Sequence, residues 1–349
     1  MPDGIDLLLF SRGRGRGHAT PDLWIVRELR KLIPTLQVSF ASYGTGAQAL
    51  VEAGERVVDL GLPEANPFLG TAVQGGLLIR EASPLLVVSH EEFGVVPAAK
   101  ILGVPVVFIT HWFTHPEHLS MQALKYADEV LFIDRPGVFA EPEYLRDRIR
   151  YVGPVLRVFD YQPTDRHRAR AELGIQPDEV LVLMLSSGWF TEERAPSMDL
   201  VLEAFGLVNH AAKRLIWVAG SDLEEVSRRT LGIRDVSVIR SEPVIEKLMV
   251  ACDVAVTKGT HNIGNELAAL GIRSISLSYG SNFADDEFAR SISSNTFLWA
   301  EETSSATLAG HIEASLRYGP ARPNLSLLNG KGAAATANYL ASRLKGRSA

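Results

Sequence analysis

The chain has 349 residues, of which 46% are hydrophobic and 22% are charged, the ordinary composition of a globular protein. This length exceeds what one hydrophobic core usually serves, so we expect two domains. A formal net charge of −6 argues against general nucleic-acid binding, because proteins with that function are basic. The single cysteine, Cys252, excludes an internal disulfide framework.

The start of the chain, MPDGIDLLLF, lacks the basic segment of a signal peptide, and no apolar run reaches the ~18 residues of a membrane-spanning helix. We therefore expect a cytoplasmic protein.

Short apolar runs alternate with helical segments in the first half of the chain. The runs are rich in Val, Ile, Leu and Phe and nearly continuous, which is typical of parallel strands buried on both faces. The predicted strands are 5–10, 36–42, 56–60, 85–89, 104–109 and 129–133. The predicted helices are 19–33, 44–53, 94–102 and 119–127. This alternation indicates a doubly wound α/β domain.

A stretch with two prolines and a charge cluster, near 153–165, predicts a linker between domains. After it the alternation resumes. The predicted strands are 180–185, 214–218, 236–239, 253–256 and 272–277, and the predicted helices are 196–208, 222–230, 244–250 and 262–270. We expect an N-terminal domain over 1–157 and a C-terminal domain over 158–320, both Rossmann-like and doubly wound, facing a central cleft. The last segment, 321–349, has high helix propensity, and we expect it to pack back toward the N-terminal domain.

A glycine-rich loop, SRGRGRGH over 11–18, follows the first predicted strand and precedes a helix. Backbone N–H groups at the start of a helix bind anions. The spacing G-x-G-x-G-H differs from the dinucleotide-binding and P-loop patterns, and the second predicted strand ends without an acid to hold a ribose. A nicotinamide site is therefore disfavoured, except for an NADP variant that uses the arginines.

Arginines at the start of a helix are unfavourable beside the positive end of its dipole unless an anion compensates them. This placement predicts that the loop binds an acceptor or a phosphate; the alternative is a tight turn with solvated arginines. The candidate residues are Arg12, Gly13, Arg14, Gly15, Arg16 and Gly17. His18 is the candidate general base, because imidazole accepts protons near neutral pH. The alternative for His18 is a local hydrogen bond at the helix start.

The second half contains a stronger motif, ACDVAVTKGTHNIGNELAALGIRSISLSYG, over 251–280. A predicted strand runs through a short turn into a helix, which suits a diphosphate. Glu266 in that helix could accept hydrogen bonds from two ribose hydroxyls, the alternative being an exposed helix charge. A small-residue loop after strand 180–185 could donate to the same phosphates. The candidate residues are Ser186, Ser187, Gly188, Lys258, Gly259, Thr260, His261, Asn262 and Glu266.

Polar residues also follow two strands of the first half. His90, Glu91 and Glu92 follow strand 85–89, and His111 follows strand 104–109, so we place Glu91, Glu92 and His111 on the acceptor side, with a solvated loop as the alternative. His111, His115 and His118 have a spacing like that of metal ligands. Pro116 would break a helix that presented them together, so we predict no metal site.

With these motifs, the chain resembles the GT-B glycosyltransferases of the family-28 type over most of its length. GRGRGHATP is similar to the family's glycine-rich loop that ends in Gly-His, and VVSHEEFGVVPAAKILGVPVVFITH is similar to its loop, helix and next strand. The segment 251–280 resembles the donor-site signature, with Glu266 at the position that holds the nucleotide ribose. SSGW stands where the family has its second phosphate loop.

The resemblance implies an inverting, metal-independent transferase that moves a sugar from a nucleoside diphosphate, in particular UDP, to an acceptor hydroxyl. It implies no cofactor beyond the nucleotide sugar, and contact with a membrane surface if the acceptor is a lipid. Where the family reads the donor sugar with His and paired glutamines, this chain has Asp285, Asp286 and Glu287; the last two are donor-side candidates, and the sugar stays open. UDP-sugar hydrolases, 2-epimerases and a non-catalytic nucleotide-sugar-binding protein remain alternatives.

Overall fold

The computed structural model describes residues 4–63, 67–113, 117–186, 195–258, 261–279 and 288–346. The chain forms two compact units, one of Met1–Arg157 with Gly330–Ala349 and one of Val158–Asn329. The segment expected to pack back toward the N-terminal domain, 321–349, is therefore divided. Residues 321–329 belong to the second unit, and the first unit takes the chain from Gly330 onward.

The secondary structure alternates strands and helices along the chain. The strands are β1 (Leu7–Ser11), β2 (Val38–Ser42), β3 (Val57–Asp59), β4 (Leu86–His90), β5 (Val106–Thr110), β6 (Glu129–Phe132), β7 (Ile149–Tyr151), β8 (Val180–Leu185), β9 (Lys213–Val218), β10 (Val236–Ile239), β11 (Val254–Thr257), β12 (Ser274–Ser278) and β13 (Asn295–Trp299). The α-helices are α1 (Ala19–Leu32), α2 (Gly44–Glu52), α3 (Phe68–Ala82), α4 (Val95–Ile101), α5 (Leu119–Ala123), α6 (Arg166–Glu172), α7 (Ala195–Leu207), α8 (Leu223–Thr230), α9 (Ile245–Ala251), α10 (His261–Leu270), α11 (Ser305–Tyr318), α12 (Leu325–Leu328) and α13 (Gly332–Lys345). Short 3-10 helices lie at Leu124–Tyr126, Glu143–Arg148, Pro163–Asp165, Gly220–Asp222 and Ala300–Glu302.

Each unit is built on one parallel sheet. Over the described residues, the first sheet has seven strands in the order β3-β2-β1-β4-β5-β6-β7, and the second has six in the order β10-β9-β8-β11-β12-β13. Strands β1, β2, β4, β5 and β8 are buried at every position. Burial on both faces explains why these strands are continuous apolar runs without alternation.

Helix α13 packs on α1 within the first unit. Ala337 and Leu340 of α13 share a buried cluster with Ile25 and Leu29 of α1 and with the apolar residues of β1 and β2. Gly332 allows the start of α13 to approach the main chain closely, because a Cβ there would lie 2.3 Å from the carbonyl oxygen of Pro154.

The structure contains elements that the sequence pattern did not predict. Helix α3 has three glycines, which lower helix propensity. Gly75 lies where a Cβ would be 3.1 Å from Phe10 and from Val95, so the small residue allows close packing. Helix α11 is preceded by the N-cap residue Ser304, whose hydroxyl accepts a hydrogen bond from the backbone N–H of Thr307, a capping signal present in the sequence. Strands β7 and β13 are further elements outside the predictions.

The order of the strands determines where a ligand would bind in each unit. In the first unit, the strand that follows β1 lies toward one edge of the sheet and the strand that follows β4 lies toward the other edge. The strands that follow β8 and β11 in the second unit are arranged in the same way. Ligands of such sheets bind beyond the carboxyl ends of the strands at this switch point. Ser11 pairs with His90 at this edge of the first sheet, and Leu185 pairs with Thr257 at that of the second. Among the described helices, none combines the length and apolar character needed to cross a membrane.

Candidate functional site

The glycine-rich loop after β1 is fixed onto the start of α2. The carbonyl oxygen of Gly13 accepts hydrogen bonds from the N–H of Gly46 at 2.7 Å and from the hydroxyl of Thr45 at 3.2 Å. The same hydroxyl accepts a hydrogen bond from the N–H of Gly15 at 2.7 Å. A Cβ on Gly13 would lie 2.3 Å from the carbonyl oxygen of Tyr43, so only glycine fits there. The loop is therefore held in one conformation by its contacts with α2.

The three arginines of the loop have different surroundings. Arg12 is partly buried and its guanidinium lies 3.8 Å from the carboxylate of Glu91. Arg16 is exposed and forms an ion pair with Glu52 of α2. Arg14 is exposed, and the described residues give it no ion pair. The anions that the placement of these arginines predicts are, for Arg12 and Arg16, carboxylates of the protein itself. Binding of an acceptor or a phosphate by this loop stays a prediction.

His18 lies between the loop and α1, and its side chain makes no capping hydrogen bond to the helix. Its Nε2 lies 2.8 Å from Oε2 of Glu91, which is 73 residues away in the chain. The alternative prediction, a local hydrogen bond at the helix start, is therefore wrong. Burial lowers the pKa of His18 below its usual value, although Glu91 opposes this change. His18 is therefore favoured in the neutral form, which can accept a proton.

Glu91 is the central residue of this cluster. Its carboxylate is 3% exposed, which excludes a solvated loop, and it also accepts a hydrogen bond from the hydroxyl of Thr110 at 3.0 Å. Nδ1 of His111 lies 3.2 Å from Oε1 of Glu91, the same oxygen that Thr110 contacts. Glu91 has a φ of 58°, an unusual value for a residue with a side chain that often marks functional positions. Burial would raise the pKa of Glu91, but the surrounding histidines outweigh this and hold it well below the usual range.

These contacts assign the proton of neutral His18. An ionised carboxylate only accepts hydrogen bonds, so Nε2 of His18 carries the proton that it donates to Glu91. The lone pair then lies on Nδ1, which has no hydrogen-bond partner among the described residues. Nδ1 is the nitrogen that can act as a base.

Glu92 has a separate environment from its neighbour Glu91. It is 2% exposed and accepts a hydrogen bond from the hydroxyl of Tyr43 at 2.6 Å. Burial raises the pKa of Glu92 to about 7, against the opposing effects of Tyr43 and Arg12. Tyr43 also contacts Gly13, so Glu92 supports the glycine-rich loop through Tyr43. The alternative prediction that Glu92 lies in a solvated loop is wrong, because its side chain is buried.

Asp22 belongs to this cluster, although no sequence pattern marked it as a site residue. Its carboxylate lies 2.7 Å from Nδ1 of His90, and both side chains are 0% exposed. The ring of His90 lies edge-to-face with that of His18, with 4.8 Å between the centroids. An acidic residue in the first turn of a helix is common for electrostatic reasons, so the sequence offered only a weak signal for this contact.

His18, His90 and Glu91 each offer a ligand-type atom, and these atoms lie within 4.8 Å of one another. Imidazole and carboxylate groups of this kind bind transition metals. Here the carboxylate is already bonded to His18 and faces the cation of Arg12, which opposes binding of a dication. The separate triad considered from the sequence includes His115, which lies outside the described residues.

The second unit carries the predicted donor residues at the ends of β8 and β11. Glu266 in α10 is 2% exposed, so the alternative prediction that it is an exposed charge on the helix is wrong. His261, the first residue of α10, is also buried and stacks on Phe288 with 4.0 Å between ring centroids. Lys258 and Asn262 are partly buried at the same end of the helix. This places a cation, a helix start and a buried carboxylate in one local segment.

Ser186 follows β8 and is fully buried, and its hydroxyl accepts a hydrogen bond from the indole of Trp217 at 2.6 Å. The other predicted donor residues lie outside the described residues; they are Ser187, Gly188, Gly259, Thr260, Asp286 and Glu287.

No protein-family model matches the chain. A protein of Methanopyrus kandleri named as an uncharacterized glycosyltransferase is 23% identical over 352 residues, which cover 91% of this chain and 98% of that protein. The solved UDP-GlcNAc 2-epimerase of Neisseria meningitidis, bound to UDP-GlcNAc, superposes with a TM-score of 0.71 at 13% identity and covers 97% of this chain and 100% of its own. MurG of Acinetobacter baumannii superposes with a TM-score of 0.62 at 13% identity, covering 97% and 99%. The chain therefore has the GT-B fold of two Rossmann-like α/β domains, as predicted from its sequence.

Proposed function

We propose that this protein is a glycosyltransferase that moves a sugar from a nucleoside diphosphate, in particular UDP, to a hydroxyl group of a small-molecule acceptor. The observation that carries the proposal is the buried pair of His18 and Glu91 at the carboxyl end of the sheet of the first unit. The name of the Methanopyrus kandleri relative supports the same activity.

The first unit supplies the base. Nδ1 of His18 takes the proton of the acceptor hydroxyl, and the ionised Glu91 stabilises the imidazolium that forms. In the free protein Nδ1 is buried, so the proposal requires that acceptor binding uncovers it. Arg14, exposed on the glycine-rich loop, is available to an anionic group of the acceptor.

The second unit binds the donor nucleotide. Glu266 accepts hydrogen bonds from the ribose hydroxyls, while Lys258 and the start of α10 hold the diphosphate. That a structural neighbour was solved with UDP-GlcNAc supports a nucleotide sugar as the ligand.

The reaction is a direct displacement. The acceptor oxygen forms a bond to the anomeric carbon as the bond from that carbon to the diphosphate oxygen breaks, which inverts the configuration. Negative charge develops on the leaving diphosphate, where Lys258 and the backbone N–H groups of the helix start stabilise it. The proposal needs no metal ion.

A nucleotide-sugar 2-epimerase is the second candidate. The observation in its favour is that the solved Neisseria meningitidis epimerase superposes over 97% of this chain with a TM-score of 0.71. Epimerisation changes the donor sugar without an acceptor, so the two functions differ in their products.

The decisive experiment incubates the protein with a panel of UDP-sugars, with and without hydroxyl acceptors. We expect UDP release that an acceptor accelerates, and a product with inverted anomeric configuration by proton NMR. A new sugar epimer that forms without UDP release would establish the epimerase instead. Thermal unfolding provides a second readout, since a ligand at 100 times its Kd adds about 2.7 kcal/mol to stability. Stabilisation by NADP and not by UDP would contradict the proposed donor site.

A further inference from the structure

Behind His18 lies a second buried acid–histidine pair, Asp22 and His90. Asp22 is in the first turn of α1, where its N–H donates a hydrogen bond to the carbonyl oxygen of His18 at 3.2 Å. His90 is the last residue of β4, and its Nδ1 lies 2.7 Å from Asp22. The proposed function uses Glu91 and His18 but assigns nothing to this pair.

The charged groups around His18 and His90 determine which of the two histidines carries a positive charge. The groups that face them are Arg12 from the loop after β1, Asp22 from α1, Glu91 from the end of β4 and His111 from the end of β5. Two of these are buried carboxylates, and Arg12 compensates only the one on Glu91. A buried carboxylate without a partner charge is costly, so Asp22 requires a cation. Among the described residues, His90 is the group within hydrogen-bond distance of Asp22 that can become a cation.

We propose that Asp22 and His90 form a positioning pair, in which Asp22 keeps a proton and its positive charge on His90, and this charge keeps the adjacent His18 neutral. This inference rests on the proposed role of His18 as the base. The edge-to-face contact of the two rings, with centroids 4.8 Å apart, places the charge close enough to act by like-charge repulsion.

The pKa values of the two histidines move in opposite directions. Burial would lower the pKa of His90, but Asp22 and Glu91 outweigh it and raise that pKa above its usual value. Burial lowers the pKa of His18, and the charges of His90 and Arg12 add to this change. Two neighbouring groups whose environments separate their pKa values in this way are typical of an acid–base site.

A purely structural role for Asp22, as an acidic residue that stabilises the start of α1, predicts a different outcome. Asp22→Asn would then lower stability without changing the titration of His18. In the positioning role, Asp22→Asn removes the charge from His90, and His90→Gln removes the charged ring, so both variants raise the pKa of His18.

The test is a pH titration by NMR of the full chain with ¹⁵N-labelled histidine, in which His18→Gln and His90→Gln identify the two sets of signals. At pH 7 we expect His90 with protons on both nitrogens and His18 with its proton on Nε2. We expect His90→Gln and Asp22→Asn each to raise the pKa of His18 by about one unit, the lower end of the effect of a nearby charge. Tyr43→Phe is the matched control: it removes a buried hydrogen bond to Glu92 in the same unit and should leave the pKa of His18 unchanged.

A neutral His90 in the wild-type protein at pH 7 would overturn the proposal, and this result does not depend on any variant folding. An unchanged pKa of His18 in both variants would also overturn it. Stoichiometric addition of Zn²⁺ that shifts the signals of His18 and His90 together would show a metal site in place of the pair. None of these spectra needs a substrate, so a protein that shows the expected titration without transferring sugar contradicts only the proposed function.

Discussion

Glu91 holds Nε2 of His18 at 2.8 Å, although 73 residues separate them in the chain. The contact exists because β4 pairs directly with β1, which brings His90 into register with Ser11 and places the residues that follow both strands side by side. A parallel pair formed by a long crossover thus assembles an acid and a base from distant segments. The orientation of His18, and with it the nitrogen that carries the lone pair, depends on this pairing.

Replacing His18 tests the base. His18→Ala should reduce turnover by roughly 10²–10⁴-fold, the effect of losing a general base, while the affinity for UDP stays nearly unchanged. Steady-state kinetics and calorimetric titration with UDP measure the two quantities separately. His167→Ala, at an exposed position on α6, is the control and should keep the turnover of the wild type. Near-full turnover in His18→Ala would assign the base elsewhere.

The glycine-rich loop can be tested with a matched pair of substitutions. Gly13→Ala places a methyl group 2.3 Å from the backbone of Tyr43, so we expect a loss of about 1–3 kcal/mol in the free energy of unfolding, as for overpacking in a core. Gly17→Ala meets no atom within 4 Å and should change stability by at most about 0.5 kcal/mol. Urea unfolding measures both variants. Equal stability of the two would mean that the loop is not fixed against Tyr43.

Glu92 should make stability depend on pH. Its pKa rises from 4.5 in the unfolded chain to about 7 in the folded protein. The folded state therefore favours the protonated acid, and the contribution of Glu92 to stability is fully present below pH 4.5 and is lost as pH rises through 7.

Glu92→Gln mimics the protonated acid at every pH. At pH 8.5 we expect this variant to be more stable than the wild type by about 1–3 kcal/mol, from 1.4 kcal/mol for each unit of pKa shift. The gain should shrink at pH 5, and urea unfolding at the two pH values tests this. A variant that is less stable than the wild type at both pH values would show that the carboxylate is ionised in the fold.

Glu266 should contribute to nucleotide affinity through the ribose. Glu266→Ala is expected to weaken UDP binding by roughly 1.5–3 kcal/mol, the contribution of hydrogen bonds to a charged group. The loss should be smaller for 2′-deoxy-UDP, which lacks one of the two hydroxyls. Glu224→Ala, an exposed position on α8, is the control in the same unit. If both nucleotides lose the same affinity in Glu266→Ala, Glu266 does not bind the ribose.

Local patterns in the sequence were sufficient for the two-domain α/β architecture, and they marked two segments as candidate anion sites. Continuous apolar runs predict buried parallel strands because neither face of such a strand meets water. A glycine-rich turn between a strand and a helix predicts an anion site because the helix start presents free N–H groups. Helix α3 was not predicted because its glycines lower its local helix propensity, whereas one of them, Gly75, allows the close approach of Phe10 and Val95 in the fold.

What surrounds each candidate residue was decided by the tertiary structure alone. The sequence shows three arginines that alternate with glycines. Only the fold shows that Arg16 forms an ion pair with Glu52, whereas Arg12 faces Glu91. Glu91 and Glu92 are adjacent in the chain, but their surroundings in the fold differ. The histidines near Glu91 lower its pKa well below the usual range, and burial raises the pKa of Glu92 to about 7. The sequence carries only a weak signal for the contact of Asp22 with His90, because the contact depends on how α1 packs against the end of β4. Burial and charge act through space, so the pKa of a side chain depends on the residues that surround it in the fold. The order of the strands, and not the distance in sequence, determines which residues those are.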